Sequence, residues 1–331
     1  MPTLKDVAKL ANVDASTVSR ALNNSAHVHP ETRKRVFAAV EKLSYEPNVL
    51  AQGLRKGKRH TIGIVVPRLQ LTMFGDAVQA AEQRAQELGY ATIVCNTDDD
   101  PKRERECLDR LGNGFVDGLI IAATGKNTRA IQTLAAGGMS IVQFLRRDNI
   151  GLSSVTADFE ACAYEGARYL ADKGCRHIGL INGPASLGPY RERLSGYRRA
   201  MDELGLEEIL VSDSLQANSF EYGYRSTTRL LSEHPELDAL MAAVDVQGMG
   251  AMKALREQEL RYPEDVRLMS LTGYLVGSLL ETPMTSMEVP TEEISRKAVD
   301  TLVELIDAPA DKKPSRSSLV FPPMLVERRS G

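Results

Sequence analysis

Residues 3–22 read TLKDVAKLANVDASTVSRAL, and this stretch determines how the N-terminal part of the chain folds. Thr3 and Asp6 have the spacing of a capping box, in which two side chains satisfy each other's backbone N–H groups. The pattern predicts a helix from Leu4 to Ala11. Its apolar face is predicted to consist of Leu4, Val7, Ala8 and Leu10. Asn12 tolerates the left-handed conformation of a tight turn, so we expect the first helix to end there.

A second helix is predicted from Ala15 to Leu22, with Asp14 as its N-cap. Val18, Ala21 and Leu22 fall on its inner face. Its outer face consists of Ala15, Ser16, Thr17, Ser19 and Arg20. A helix face with side chains this short and polar fits the major groove of B-DNA.

A third helix is predicted from about Pro30, because proline is favoured in the first helical turn. Apolar residues then repeat at helical spacing through Val36, Ala39, Val40 and Leu43. Three such helices can close a small core. Two short helices around a turn also occur in all-helical proteins that never contact DNA, so the spacing alone leaves both interpretations open.

The charge distribution favours the DNA-binding interpretation. Residues 1–60 contain 11 Lys and Arg against 5 Asp and Glu, a net charge of +6. Residues 61–331 contain 30 against 39, a net charge of −9. A basic segment that coincides with a predicted reading helix is better explained by contact with phosphates than by a solvated face.

Several motifs connect the chain to a known family. Three lie near the N-terminus: Leu4–Ala8 (LKDVA), Thr17–Asn23 (TVSRALN) and Tyr45–Asn48 (YEPN). Others follow at Ile62–Pro67 (IGIVVP), Val116–Ile120 (VDGLI), Gly183-Pro184 and Val326–Ser330 (VERRS). Together they resemble the signature of LacI/GalR transcription regulators, and the resemblance covers the whole chain.

The resemblance implies roles for the residues of the second helix and the turn after it. Ala15, Ser16 and Arg20 match base-reading positions, with Arg20 as a guanine contact and Ala15 against a thymine methyl group. The positions implied to contact phosphates or their neighbours are Thr17, Ser19, Asn23 and His27.

Residues 48–60 are predicted to form a marginal helix and a basic linker. Gly53 costs such a short helix about 1 kcal/mol relative to alanine, so we expect the helix to fold only on DNA. The resemblance implies paired hinge helices in the minor groove, with Leu54 wedged into a base step and Arg55 beside it. A flexible interdomain linker is the alternative.

From Ile62 onward, apolar runs of strand length alternate with helical patterns, which predicts βαβ units and parallel sheets. The predicted strands are Ile62–Val66, Ala91–Cys95, Gly118–Ala122, Ser140–Phe144, Ser154–Ala157, Ile178–Asn182, Ile209–Val211, Ala239–Val244 and Leu268–Leu271. The predicted class is therefore α/β. An N-terminal three-helix helix-turn-helix head and a hinge helix precede a two-lobed, periplasmic-binding-protein-like core of two parallel-sheet subdomains.

The predicted domain boundaries follow from this order. The head spans 1–47, the hinge 48–60 and the core 61–331. The resemblance implies three crossings between lobes, near Ala157, Met287 and Ser318. The N-lobe is then about 61–157 plus 288–318, and the C-lobe about 158–287 plus 319–331. Ligands of such sheets gather at the carboxyl ends of the strands, so we expect the effector in the cleft between the lobes.

Carrying the family's effector positions onto this sequence gives a set of candidate residues: Met73, Phe74, Asp158, Arg193, Asn218, Asp245 and Thr272. Arg193 lies in the motif Arg193–Tyr197 (RLSGY). A guanidinium offers fixed donors to vicinal hydroxyls, carboxylate or phosphate. Asp158 could instead cap the helix that starts near Phe159. Two usual polar contacts, an Asn and an Asp, are replaced by Val244 and Thr272, so the sequence leaves the effector unidentified.

Motifs of other function classes are missing from the sequence. It has no P-loop, no complete dinucleotide-binding fingerprint and no GxSxG elbow, so we expect no enzyme activity and no cofactor. The four cysteines and five histidines lack metal-ligand spacing, so we expect neither a metal nor a disulfide. No run suggests a signal peptide or a membrane span, so we expect a cytoplasmic protein without a membrane partner.

The sequence therefore predicts a homodimeric repressor of a carbohydrate or other catabolic operon. Its predicted partners are double-stranded operator DNA with a pseudo-palindromic site and a small effector, a sugar or sugar phosphate. Because no leucine heptads follow residues 327–329, we expect a dimer and not a tetramer. Two alternatives remain: a periplasmic-type binding module without DNA function, and a corepressor-dependent regulator of nucleotide or central metabolism.

Overall fold

The computed structural model describes residues 2–22, 28–45, 58–148, 150–212, 217–309 and 315–331. It divides into two compact units, residues 1–59 and 60–331. No helix within the described ranges is long and apolar enough to cross a membrane.

The first unit contains the three predicted helices, α1 (Leu4–Ala11), α2 (Ala15–Leu22) and α3 (Pro30–Lys42). The capping box of α1 is formed, since the Thr3 amide donates to Asp6 at 2.8 Å and the Asp6 amide donates to Thr3. Asn12 ends α1 in the left-handed conformation, with φ of 51°. The sequence prediction of both ends of α1 is confirmed.

A small apolar core holds the three helices together. Its buried residues are Val7, Ala8, Ala11, Val18, Ala21, Val36 and Ala39. The prediction for Leu10 is wrong, because its side chain is 44% exposed and Ala11 takes the inner position instead. Ala15, predicted on the outer face of α2, is half-buried and packs against this core.

The second unit begins with the first lobe, a six-stranded parallel sheet. Its strands are β1 (Thr61–Val66), β2 (Ala91–Asn96), β3 (Gly118–Ile121), β4 (Ser140–Phe144), β5 (Ser153–Ala157) and β11 (Ser318–Phe321). Its helices are α4 (Thr72–Glu87), α5 (Pro101–Gly112), α6 (Thr128–Ala136) and α12 (Thr291–Asp307). The strand order is β11-β5-β4-β3-β1-β2, so the chain reverses direction across the sheet between β1 and β3.

The second lobe repeats this plan. Its strands are β6 (Ile178–Ile181), β7 (Ile209–Val211), β8 (Ala239–Ala242), β9 (Arg267–Ser270), β10 (Thr285–Glu288) and β12 (Met324–Val326). Its helices are α7 (Phe159–Asp172), α8 (Gly188–Leu204), α9 (Phe220–Glu233), α10 (Asp245–Glu257) and α11 (Leu275–Ser278). The order is β12-β10-β9-β8-β6-β7, and only β12 runs antiparallel. Strand β8 ends two residues earlier than predicted, because Val244 already serves as the N-cap of α10.

The chain crosses between the lobes three times, as the resemblance implies. The first two crossings follow β5 and β10. The third was predicted near Ser318 and lies after Phe321, because β11 pairs with β5 along its whole length, from Ser318 to Phe321. Pro322 and Pro323 then lead into β12 of the second lobe.

The RLSGY motif at residues 193–197 orients α8 by two different contacts. A Cβ atom at Gly196 would overlap the carbonyl oxygen of Glu160, so only glycine lets α8 pack this closely on α7. The hydroxyl of the buried Tyr197 donates to the carbonyls of Ile178 (2.8 Å) and Ile209 (3.1 Å). These contacts hold α8 against α7 and against the ends of β6 and β7, which fixes the direction of Arg193 one turn earlier.

The C-terminal VERRS motif joins three strands. The Ser330 hydroxyl donates to the carbonyl of Leu268 at 2.6 Å and accepts from the amide of Thr285 at 2.9 Å. The guanidinium of Arg328 donates to Glu288 at 2.6 Å. Since these are largely buried groups, the motif stabilises the second sheet and does not form part of the cleft.

We expect Gly196→Ala to destabilise the core, because its methyl group must displace the backbone of α7. Overpacking of this kind costs about 1–3 kcal/mol, which lowers the Tm of a domain of this size by several degrees. Thermal unfolding monitored by circular dichroism measures it. The matched control, Ser195→Ala on the exposed face of the same helix, should leave the Tm nearly unchanged. Equal Tm values for both variants would show that the α7–α8 approach is not tight.

Candidate functional site

The outer face of α2 is the candidate DNA-reading surface. Ser16 and Arg20 are exposed and lie one helical turn apart. The Arg20 guanidinium folds back on Ser16, donating from Nε to its carbonyl oxygen (3.2 Å) and from Nη2 to its hydroxyl (3.1 Å). These contacts are weak at the surface, so the side chain is free to exchange them for a base edge. Thr17 and Ser19 are half-buried on either side.

Four predicted DNA contacts lie outside the described residues: Asn23, His27, Leu54 and Arg55. They remain predictions, as does the hinge helix that would carry the last two.

The candidate effector site is a cleft of about 360 Å³ in the second unit. It lies at the carboxyl ends of strands from both lobes, chiefly β1 and β4 on one side and β6, β8 and β9 on the other. Five of the seven predicted effector residues line it: Met73, Phe74, Arg193, Asn218 and Asp245. The cleft thus occupies the place that the strand order predicts for a ligand in each sheet.

Arg193 is buried on the wall of this cleft, with 1% of its surface exposed. Its Nη2 donates to the carbonyl of Leu271 at 3.2 Å, and its guanidinium carbon lies 4.6 Å from the ring centre of Phe159 and 5.9 Å from that of Tyr190. Its Nε has no hydrogen-bond partner. A buried charged donor without a partner is costly, so this atom is suited to a ligand that supplies an acceptor.

Asp245 is the carboxylate of the cleft, and neighbouring donors hold it in place. It accepts from the Thr272 hydroxyl, and the amide of Tyr274 lies 3.3 Å from both of its oxygens. Burial raises its pKa above the ordinary value, while the hydrogen bonds from Thr272 and Tyr274 act in the opposite direction. The raised pKa means that burial outweighs the donors.

Two predicted effector residues do not line the cleft. Asp158 is the N-cap of α7, where its carboxylate accepts from the amide of Ala161 at 2.8 Å, so the capping alternative describes its position. Thr272 is fully buried behind Asp245 and positions that carboxylate instead of facing the ligand space.

Sequence reasoning missed two arginines that line the cleft, Arg68 after β1 and Arg146 after β4. Arg146 forms a two-pronged ion pair with Asp99, at 2.5 and 3.1 Å, and lies over the Phe74 ring at 5.4 Å. The preceding Leu145 has φ of 59°, an unfavourable conformation for a bulky side chain. Their position directly after strand carboxyl ends was the signal that could have identified them.

An ion pair joins the two lobes beside the cleft. Arg147, in the loop after β4, lies 3.5 Å from Glu192 on α8. Burial raises the pKa of Glu192, and Arg147 partly offsets that rise. This ion pair connects the two lobes outside the cleft, so we expect a change in lobe closure to change its length as well.

Comparison with known proteins identifies the family. The model for "Periplasmic binding proteins and sugar binding domain of LacI family" matches residues 59–325, and that for "Bacterial regulatory proteins, lacI family" matches residues 3–48. The ribose operon repressor of Escherichia coli (strain K12) is 31% identical to this chain over 344 residues, and the alignment covers 100% of both proteins. That of Halalkalibacterium halodurans is 30% identical over 95% of this chain and 92% of its own.

The chain belongs to the LacI family.

Solved structures of two transcriptional regulators have the same fold. The Lac repressor dimer bound to operator and the anti-inducer ONPF matches with a TM-score of 0.88, at 27% identity over 99% of this chain and 98% of that one. The complex of the regulator CelR with cellobiose matches with a TM-score of 0.75, at 28% identity over all of both chains. This LacI-family protein is a DNA-binding transcriptional regulator controlled by a small-molecule effector, with a helix-turn-helix head and a two-lobed α/β core.

The raised pKa of Asp245 predicts a pH dependence of stability. Between the ordinary value of about 3.9 and the raised value, the folded state binds more protons than the unfolded state, so stability falls as pH rises through this interval. Asp245→Asn removes that loss. The Tm of the variant relative to the wild type should therefore increase as pH rises above about 4.

Asp265→Asn is the control of opposite sign. Hydrogen bonds from Arg261 lower the pKa of Asp265 to about 2, so its contribution to stability is present above its ordinary pKa and is lost in acid. This variant should lose Tm relative to the wild type as pH rises. The burial argument for Asp245 is contradicted if both variants change with pH in the same direction.

Proposed function

We propose that this protein is a homodimeric repressor whose two heads bind the half-sites of a pseudo-palindromic operator. The observation that carries this proposal is the exposed Ser16–Arg20 face on a capped helix-turn-helix head, joined in one chain to an effector cleft. We infer that the controlled genes form a carbohydrate or other catabolic operon, as the names of its relatives suggest.

We infer that the protein is regulated by linkage between two ligands, the effector bound by the core and the DNA bound by the head. The two lobes are separate sheets joined by three crossings, so effector binding in the cleft favours one lobe arrangement. If DNA favours the other arrangement, each ligand lowers the affinity for the other by the same factor. If both favour the same arrangement, the effector acts as a corepressor.

Exposed apolar side chains on the core support dimer formation. On the short helix α11, Leu275 is 71% exposed and Leu279, directly after it, is 73% exposed. Ile93 and Val94 are partly exposed on β2, the edge strand of the first sheet. Large apolar groups and an uncovered strand edge are unfavourable in water, and a symmetric partner would cover them.

Selection of the purified protein against a random DNA library tests the proposed function. We expect enrichment of a pseudo-palindrome at near-physiological salt, with a flexible pyrimidine–purine step at its centre where the hinge is predicted to insert. Binding without sequence preference that disappears with salt would indicate a binding module without DNA function. The selection is repeated with pooled metabolites, so that a corepressor-dependent protein is also detected.

Arg20→Ala tests the reading face. Loss of a two-pronged guanine contact should weaken binding to the selected site by about 1–3 kcal/mol and relax the preference at one base position. Fluorescence anisotropy with the selected site and its single-base variants measures both effects. Arg105→Ala, an exposed arginine on α5 of the core, is the control and should bind as the wild type does. Unchanged affinity and base preference in Arg20→Ala would mean that α2 is not the reading helix.

Leu279→Lys tests the dimer. A charge in a buried apolar interface lacks solvation, so we expect the variant to sediment as a monomer at micromolar concentration and to bind the selected site more weakly. Analytical ultracentrifugation gives the mass directly. Gln258→Lys adds the same charge at an exposed polar position and should remain dimeric. A dimer of undiminished stability in Leu279→Lys places the interface elsewhere.

A further inference from the structure

We propose that the effector of this protein carries an anionic group, a carboxylate or a phosphate, which Arg193 and Arg68 bind in the cleft. We expect a neutral sugar without such a group to bind much more weakly. This inference rests on the proposed function, because it takes the cleft between the lobes as the regulatory site.

The charged groups on the cleft wall are mostly positive. Arg68, Arg146 and Arg193 line it, and among the described residues Asp245 is the one carboxylate that does so. Asp99 forms an ion pair with Arg146 and offsets its charge. Among the described residues, none forms a hydrogen bond or an ion pair with the side chain of Arg68. Arg68 and Arg193, one on each lobe, therefore outnumber Asp245 and leave the cleft with a net positive charge.

Most polar groups at the cleft that need a partner are donors. The Nε of Arg193 is buried and unpartnered, and the carboxamide oxygen of Asn218 already accepts from the Tyr190 hydroxyl at 2.5 Å, which leaves its amide nitrogen to donate. Asp245 already accepts from Thr272 and Tyr274. Each hydroxyl of a neutral sugar brings a donor that needs an acceptor, whereas an ionised carboxylate or phosphate brings acceptors only.

Three helix N-termini add to this donor excess. The N-cap residues of α4, α8 and α10 are Leu71, Leu187 and Val244, and all three line the cleft. None has a side-chain oxygen that could accept from the first amides of its helix. In α10 the Asp245 amide already donates to the Thr272 hydroxyl at 3.2 Å, and in α8 Pro189 has no N–H, so each of these two helices offers one amide fewer to a ligand. Helix N-termini carry partial positive charge and unpaired N–H groups, which favour an anion. Together with the buried Nε of Arg193, these N-termini favour binding of an anion in the cleft.

The remaining lining is poor in groups that recognise hydroxyls. It is mainly apolar and includes Leu71, Met73, Phe74, Leu187, Val246 and Met249. Thr72 and Gln70, the uncharged polar side chains on the first lobe's wall, are exposed at its edge. Apolar walls with a few fixed polar groups suit a small organic anion better than a polyol, whose hydroxyls would lose their hydrogen bonds to water.

The charge arrangement also explains how such an effector would favour closure. Arg68 belongs to the first lobe and Arg193 to the second, so their like charges oppose approach of the walls. An anion between them is attracted to both. Its affinity is therefore greater when the lobes are closed, which is the differential affinity that allosteric control requires.

Matched ligand pairs test the proposal on the full chain. D-ribose is compared with D-ribose 5-phosphate, and phenylacetamide with phenylacetate, at constant ionic strength; inorganic phosphate serves as a fragment probe. We expect at least one anion to raise the Tm and to bind saturably in calorimetry, and the neutral member of its pair to do neither. If only the phosphate or only the carboxylate binds, that result identifies which of the two groups the effector carries.

Two variants locate the binding to the cleft. Loss of a charge-assisted hydrogen bond should weaken anion binding about tenfold to a hundredfold in Arg193→Gln and in Arg68→Gln. Because Arg193 is buried and could be needed for folding, Arg68→Gln, which loses no internal partner, keeps the test decisive. Arg105→Gln, an exposed arginine paired with Asp109 on α5, is the control and should bind as the wild type does.

The proposal is overturned if D-ribose binds as tightly as its phosphate, or if no probe, inorganic phosphate included, shows binding that depends on Arg68 or Arg193. Operator binding by the unliganded protein separates this failure from that of the proposed function. A protein that selects a pseudo-palindrome but binds no anion in the cleft retains the proposed function and refutes the effector class.

Discussion

A charged guanidinium buried in the second lobe, on its wall of the cleft, is the constraint on which the packing around the cleft depends. Removing a charge from water is costly unless nearby groups compensate it. For Arg193 the compensation is one carbonyl, that of Leu271, and the faces of two aromatic rings. These groups come from α7, α8 and the end of β9, so all three must be placed together. The Nε remains unpaired, which leaves the final compensation to a ligand.

The packing around α8 shows how that placement is achieved. Gly196 allows contact with the backbone of α7, and Tyr197 ties the helix to the carbonyls of Ile178 and Ile209. A similar close approach occurs between α9 and α10, where a Cβ on Gly223 or Gly250 would overlap the opposite helix. These contacts pack the second lobe closely, so we expect it to move as one unit when a ligand binds both walls of the cleft.

The fold of the head, in contrast, is determined mostly by short-range interactions. The capping box at Thr3 and Asp6 and the left-handed Asn12 set the ends of α1 within one or two turns of sequence. The prediction failed only where tertiary packing intervened. Leu10 is exposed and Ala15 is half-buried, since the phase of a short helix depends on the helix that packs against it. The strands of the core were predictable for a similar reason, since their apolar runs are long and bounded by clear turns.

The sequence by itself determined the family, the helix-turn-helix head, the alternation of strands and helices, and five of the residues in the cleft. Motifs and periodic apolar patterns carry this information because they act over a few residues. Only the tertiary structure decided the roles of Asp158 and Thr272, the position of the third crossing and the presence of Arg68 and Arg146 in the cleft. Arg68 and Arg193 are 125 positions apart in sequence and line the same cleft because the strand ends of the two lobes face each other. Such juxtapositions depend on the pairing order of the sheets, which no local pattern in the chain records.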